Sequence, residues 1–404
     1  MNVLKVPEIL LPKSDVDKTK WSVIACDQFT SQPKYWETLK NYCGTVSTLN
    51  IIFPEIYLGE NEDERINKIN VTMNDYLSRG VFDSIKGFIL SVRKTCYGRR
   101  RVGIIAAVDL EEYSINEKKA IRPTERIVPE RLPIRIKIRK DAPLELPHAL
   151  LLFDDNDRSV IEPLYEKRSE LKKLYSFDLN MNGGSLEGYL IDDPVSVMEA
   201  IERVTSSRKT VEKYGCADPF VFAVGDGNHS IATAKACWEE LKPSLSESER
   251  ETHPSRYCLV EIVNLYDDDL NFEPIHRIIF GADDKLVKKL CTSLNGKCET
   301  EVYFGEKKTI INIPESSAFA ITEIQKVLDE YVYENPNCRQ DYIHGRDNLL
   351  TLAKQGKSVA VVMPTLRKAD LFSYVATHGV LTRKAFSMGE AEEKRYYYEC
   401  RKIK

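Results

Sequence analysis

The sequence contains no run of about 18 consecutive apolar residues, so no stretch of it is suited to span a bilayer as a helix. Its opening, MNVLKVPEILLPKSD, lacks the long apolar core and small-residue cleavage site of a secretory signal. Ten cysteines are scattered from Cys26 to Cys400 with no CxxC pair and no Cys/His ligand spacing, so neither a disulfide framework nor a zinc site is read from them. Free thiols in a reducing cytoplasm are the simplest assignment. An excess of positive charge is missing as well: 58 Lys and Arg face 62 Asp and Glu, and the pI is near 6.0. That balance argues against a general nucleic-acid or membrane-surface binder. Internal repeats and low-complexity segments are absent.

Nucleotide and hydrolase signatures fail one by one. Gly356-Lys357-Ser358 resembles the end of a phosphate-binding loop, but the first glycine that loop requires falls on Thr351, and the tripeptide precedes a strand instead of opening a helix. Gly225-Asp226-Gly227-Asn228-His229-Ser230 fits a loose dinucleotide pattern, yet no second strand with an acidic end follows it; the polar stretch PSLSESERETHP stands there and reads as a surface loop. The protein-kinase loops and the Gly-x-Ser-x-Gly elbow do not occur.

What is present is the composition of a soluble globular protein: 404 residues, 42% hydrophobic and 30% charged, enough for two lobes or one large elaborated domain. The pattern of short apolar runs and amphipathic stretches predicts a mixed α/β fold. Residues 219–242, PFVFAVGDGNHSIATAKACWEELK, organise the rest. They read strand, polar turn, helix. A helix beginning near His229 and Ser230 leaves its first N–H groups unpaired, and its dipole favours an anion there. Asp226, Gly227, Asn228, His229 and Ser230 surround that spot. The same turn is equally ordinary capping chemistry.

Other polar clusters follow predicted strands. Residues 21–26 read as a strand leading into Asp27, with a short helix over 34–42. Helical spacing marks 61–78, and a hairpin joins 87–93 to 102–108 through CYGRRR. Arg122, Glu125 and Arg126 occupy a Pro-constrained loop in which two guanidiniums can hold phosphate oxygens, or in which the three pair with one another. Leu132 to Arg139 alternates apolar and basic residues and predicts a strand with a solvated basic face, and 161–174 predicts a helix. Residues 281–325 carry no chemistry and read as an inserted subdomain. Towards the end, His344 precedes a helix, and Arg383, Lys384, Ser387, Lys394 and Arg395 offer backbone and cationic groups to an anion, or form a basic tail.

As a set, ACDQFTSQPKYW, IRPTER, LELPH, VGDGNHSIATAKA, LVEIVNL, FEPIHR, YIHG and KAFSMGEAEEKRYYYECR resemble, in this order, a family of inorganic-pyrophosphate-dependent L-serine kinases. The resemblance runs from about Pro12 to Ile403. It implies a ParB/sulfiredoxin-like core with mixed sheets, and it places an N-terminal α/β lobe at 1–118, a phosphate-binding core at 119–280 and a C-terminal α/β region at 281–404. All three would converge on one cleft. The implied reaction is L-serine plus pyrophosphate giving O-phospho-L-serine and phosphate, with Mg2+ and with no nucleic-acid or membrane partner, in a monomer or small homo-oligomer. Where many relatives carry His-His-Arg after Asp-Gly, this chain has Asn228-His229-Ser230, so Arg122, Arg126, Arg383 and Lys384 are the candidates to replace the arginine. By order along the chain Glu125 matches the family's general base, with Asp27 as its rival. Asp226 is expected to act on metal or hydroxyl, and His229 and His344 to donate to phosphoryl oxygens.

Overall fold

Strand Tyr257–Asn264 is buried along its whole length, because its side chains alternate between two hydrophobic cores: Cys258, Val260 and Ile262 enter one and Leu259 the other. In the computed structural model, which describes residues 3–404, this strand is central to a large mixed sheet. Running across the sheet, the order is Lys172–Asp178, Ser185–Ile191, Phe88–Lys94, Arg100–Asp109, Tyr257–Asn264, Leu150–Phe153, Phe222–Asp226 and Ile121–Pro123, with Leu4–Lys5 added to Arg100–Asp109. A second sheet runs Lys307–Ile313, Cys298–Phe304, Ser358–Val361, Phe272–Phe280, Arg339–His344. Phe386–Met388 pairs with the first residues of Phe272–Phe280. A third core joins the two sheets through Leu150, Leu152 and Val263 on one side and Ile279, Val302 and Val359 on the other. Helices Asp284–Ser293 and Ser317–Glu334 come from the stretch expected to be an insertion, and they pack into that same core through Leu286, Leu290, Ile321 and Leu328.

Several expectations hold. The hairpin through CYGRRR pairs Phe88–Lys94 with Arg100–Asp109, and Glu62–Ser78 is a helix that buries Ile66, Ile69, Met73 and Tyr76. Gly356 lies in the loop before Ser358–Val361, so it opens no helix. Other stretches depart from expectation. Residues 161–174 divide into the helix Ile161–Glu166 and the strand Lys172–Asp178. PSLSESERETHP contains a short helix, Glu247–Thr252, started by a capping box between Ser246 and Glu249. The first predicted strand shrinks to Val23–Ile24, because Trp21 closes the helix Lys18–Trp21.

The largest correction concerns Leu132–Lys140, which is a helix and not a strand. Pro133 sits in its first turn, where the missing N–H costs nothing, and Lys137, Arg139 and Lys140 fill the last turn, where the dipole favours cations. It lies against the helix Asn228–Leu241. Packing thereby overrides the alternating pattern. Among the described residues no helix is long and apolar enough to cross a membrane.

Candidate functional site

Five strands bring the polar groups together. Phe222–Asp226 runs parallel to Ile121–Pro123 with Val224 opposite Pro123, so Asp226 and Glu125, each two residues further on, emerge side by side. On its other edge Phe222–Asp226 is antiparallel to Leu150–Phe153, with Asp226 opposite Leu150; His148 therefore falls beside the turn that follows Asp226. Tyr396–Tyr397 pairs with Val23–Ile24, and the Ala25 N–H donates to the Arg395 carbonyl at 2.8 Å, which sets Lys394 against Cys26 and Asp27. The result is a cleft of about 560 Å³ lined by Asp27, Glu125, Asp226, Gly227, Asn228, His229, Ser230, Lys384, Ser387 and Lys394 from the residues singled out in the sequence.

The helix Asn228–Leu241 starts in this cleft. Ser230 and Ile231 donate to the Gly227 carbonyl, while the N–H groups of Asn228 and His229 have no hydrogen-bond partner among the described residues. Gly227 has φ 75°, and a Cβ there would lie 2.7 Å from the Ala149 Cα and 3.0 Å from the His148 ring; glycine is required by the neighbouring chain as well as by the turn. Asn228 does not turn its side chain to a ligand. Its Oδ1 accepts from the Thr124 N–H and its Nδ2 donates to the Val224 carbonyl, both at 3.3 Å, tying the helix start to the two strands.

Charge is distributed unevenly. Burial, then repulsion from Asp226, pushes the Glu125 carboxyl up to about 7. Asp27 is the opposite case: burial works against its charge, but the His148 imidazole 3.7 Å away, a 2.8 Å bond from Gln28 and the field of Lys394 outweigh it and hold the carboxyl well below its usual range. Burial likewise opposes charge on His148, yet Tyr397, bonded to its Nδ1 at 2.6 Å, and the Asp27 carboxylate raise the imidazole well above its ordinary value. His229 goes the other way. Burial and the fields of Arg135, Arg131 and Arg383 push it down to about 4. Its Nε2 accepts from the Val128 N–H at 3.0 Å, so its proton is on Nδ1. Asp226 accepts from its own neighbour's N–H at Gly227 (2.9 Å) and pairs with Lys394 at 3.1 Å.

The sequence reading missed the cleft's basic wall. Arg131, Ile134, Arg135, Ile138, Arg139 and Ala142 all line it, and their spacing of three and one is one face of a helix. Arg135 is paired with Glu55, and Arg139 with Glu145 at 2.6 Å. Arg131 has no carboxylate partner among the described residues. Taken as a strand, the same residues would be split between two faces, so the helical spacing was the signal available. His148 and Tyr397 were missed too, although both lie in segments that carry the resemblance.

Five of the singled-out residues lie outside the cleft. Arg122 is buried, stacked 4.6 Å from the Phe220 ring, and donates to the carbonyls of Lys119, Pro219 and Ala376. Arg395 is buried between Glu261 and Glu399, and it borders only a small recess of about 40 Å³ behind Asp226. His344 pairs with Glu390 at 3.1 Å, Arg126 is exposed on the surface, and Arg383 lies 5.7 Å from the Tyr342 ring, outside the cleft lining, and acts on the site by its field on His229.

No three His, Cys, Asp or Glu side chains gather as metal ligands among the described residues. A preformed cage for magnesium therefore does not fit. A single carboxylate completed by a substrate's phosphate oxygens does fit, with Asp226 at the turn.

Several solved structures resemble this fold. A free serine kinase in complex with AMP is 12% identical, with a TM-score of 0.40, and the match covers 74% of this chain and 92% of that one. SbnI with a C-terminal truncation, from Staphylococcus aureus, is 9% identical with a TM-score of 0.37, covering 70% and 82%. A conserved hypothetical protein from Pyrococcus furiosus is 11% identical with a TM-score of 0.35, covering 72% and 97%. Comparison with curated protein sequences finds no match. A family profile matches residues 10–362, and the chain belongs to that family, described as Protein of unknown function (DUF1015).

Proposed function

We propose that this protein is a phosphotransferase that moves a phosphoryl group from inorganic pyrophosphate to the hydroxyl of L-serine. The observation that carries the reading is the juxtaposition, in one cleft, of a carboxyl pushed up to about 7 at Glu125 with the open start of a helix and the cations Arg131 and Lys384. A proton acceptor works best when its pKa lies near the operating pH. Glu125 meets that condition, whereas Asp27, held ionised by His148, is the weaker base.

In the proposed step Glu125 takes the proton from the serine Oγ as the Oγ–P bond forms. The bridging P–O bond of pyrophosphate breaks, and its electron pair leaves with orthophosphate. The Asn228 and His229 N–H groups, the Nδ1–H of His229, Arg131 and Lys384 hold the phosphoryl oxygens. Asp226 would hold magnesium, which when bound would neutralise charge on those oxygens. The serine acceptor rests on the sequence resemblance.

One observation favours a second reading. Part of the cleft lining is apolar, with Ile51, Phe53, Leu58 and Met73 joined by Ile134 and Ile138 between the arginines of the basic wall, a surface that pyrophosphate leaves unused and that a nucleoside base would cover. The test is to incubate purified protein with L-serine, magnesium and either pyrophosphate, ATP or ADP, and to measure phosphoserine. Product with pyrophosphate alone supports the first reading, and product only with a nucleotide supports the second. Binding of any of the three donors without product would leave a non-catalytic module.

A further inference from the structure

We propose that Arg277, which does not line the cleft, positions Lys384 for the anion by locking the backbone of residues 383–384. The proposal rests on the reading of the cleft as a phosphoanion site. Lys384 is one of the few non-glycine residues with positive φ, at 53°, a backbone conformation that persists for a bulky residue only when its surroundings impose it. On either side the chain is tied to residues 124–125, through the Leu381 N–H to the Thr124 carbonyl and the Ala385 backbone to Glu125, and between them one guanidinium holds both loop carbonyls. Arg277 is fully buried. Its Nη2 donates to the carbonyls of Arg383 at 3.2 Å and Lys384 at 2.9 Å. Its Nη1 donates to the carbonyl of Ile275, a cleft residue. Its Nε donates to Gln325 Oε1 at 2.7 Å.

The fork is fixed in turn. Gln325 uses its amide nitrogen on Asp329 at 2.7 Å and Gln340 at 3.1 Å, so its oxygen is oriented towards Arg277. Tyr342, directly across the strand pair from Arg277, has the Arg277 guanidinium 4.6 Å, the Lys384 ammonium 5.6 Å and the Arg383 guanidinium 5.7 Å from its ring centroid. All three cations are within the reach of the ring's quadrupole. Two of the four acceptors of this buried guanidinium are the adjacent carbonyls of one short loop, which it ties to Gln325 and Ile275. A lysine ammonium on a flexible stem gains most from such fixing, because the entropy of ordering it is lost before the ligand arrives.

The experiment uses the full chain and titrates inorganic pyrophosphate by calorimetry, with serine KM measured in parallel. Lys384→Ala is made first: if it leaves pyrophosphate affinity within twofold, the phosphoanion reading of Lys384 fails, and the proposal with it. Given a loss in Lys384→Ala, Arg277→Met is expected to weaken pyrophosphate about tenfold, to leave the serine KM unchanged, and to add no further loss in the Lys384→Ala background. Arg277→Lys keeps a buried charge, but three N–H donors on one shorter stem cannot serve Gln325, Ile275 and both loop carbonyls at once, so it should behave like Arg277→Met. Additive losses in the double variant, or full rescue by Arg277→Lys, would overturn positioning in favour of a field effect. Should the Arg277 variants not fold, Gln325→Leu decides, because it removes an acceptor of Arg277 and leaves Lys384 in place: a loss confined to pyrophosphate and absent in Lys384→Ala supports the proposal, and equal loss in both backgrounds refutes it.

Discussion

Glu125→Gln separates a proton acceptor from a structural carboxylate more sharply than any other single change, because the two roles move stability in opposite directions. The folded protein holds this carboxyl at about 7, against an ordinary 4.5. A raised carboxyl costs the fold nothing below pH 4.5, where it is protonated in both states. The cost grows as pH rises from 4.5 to 7 and is complete above 7. The gap, at about 1.4 kcal/mol per pH unit, corresponds to about 3 kcal/mol; solvent reaching the half-buried group reduces this to about 1 to 2 kcal/mol. Glutamine carries no charge at any pH, so Glu125→Gln should match the wild type near pH 4.5 in urea denaturation and exceed it by that amount at pH 8. Turnover to phosphoserine should meanwhile fall about 10²- to 10⁴-fold, and the wild-type rate should rise with pH up to about 7 and then level. A variant less stable than wild type at pH 8, or one active within a fewfold, would refute the assignment.

Arg131→Ala should raise the KM for the phosphoryl donor roughly tenfold to a hundredfold, the range for a hydrogen bond to a charged group, and leave the serine KM unchanged in steady-state assays. His148→Gln should destabilise the fold on the order of 3 kcal/mol by leaving Asp27 without its buried partner. The effect should be greatest between about pH 4 and 6.5, because the contribution of Asp27 is lost as pH falls through its depressed value and that of His148 as pH rises through its raised one; denaturation across pH 3 to 9 measures it. Gly227→Ala forces a side chain against the Ala149 backbone and should cost about 1 to 3 kcal/mol, read as a lower melting temperature together with lost donor binding.

The turn at 225–230 was legible because everything that makes it is local: an apolar strand, a glycine needed for positive φ and a helix of suitable composition. The pairing of Glu125 with Asp226 was legible in part, since both lie just beyond apolar runs, but only the parallel register of Phe222–Asp226 on Ile121–Pro123 makes them neighbours. Leu132–Lys140 was misread for a physical reason. Ile134, Ile136 and Ile138 alternate with basic residues, which suits either structure over so short a span, and the choice was made by a neighbouring helix far along the chain. Arg122 shows the converse limit. Nothing local reveals that its guanidinium is consumed by the carbonyls of Lys119, Pro219 and Ala376.

The seam between Val23–Ile24 and Tyr396–Tyr397 has a consequence for biosynthesis. One wall of the cleft is synthesised well before the strand that braces it, as the separation of 371 residues between Cys26 and Tyr397 records. Closure of a loop that long is entropically slow. A nascent chain halted before residue 394 would expose Trp21, Val23 and Ile24 without their cover and would lack Lys394 and Tyr397, so the cleft should be complete only once residues 394–397 have emerged.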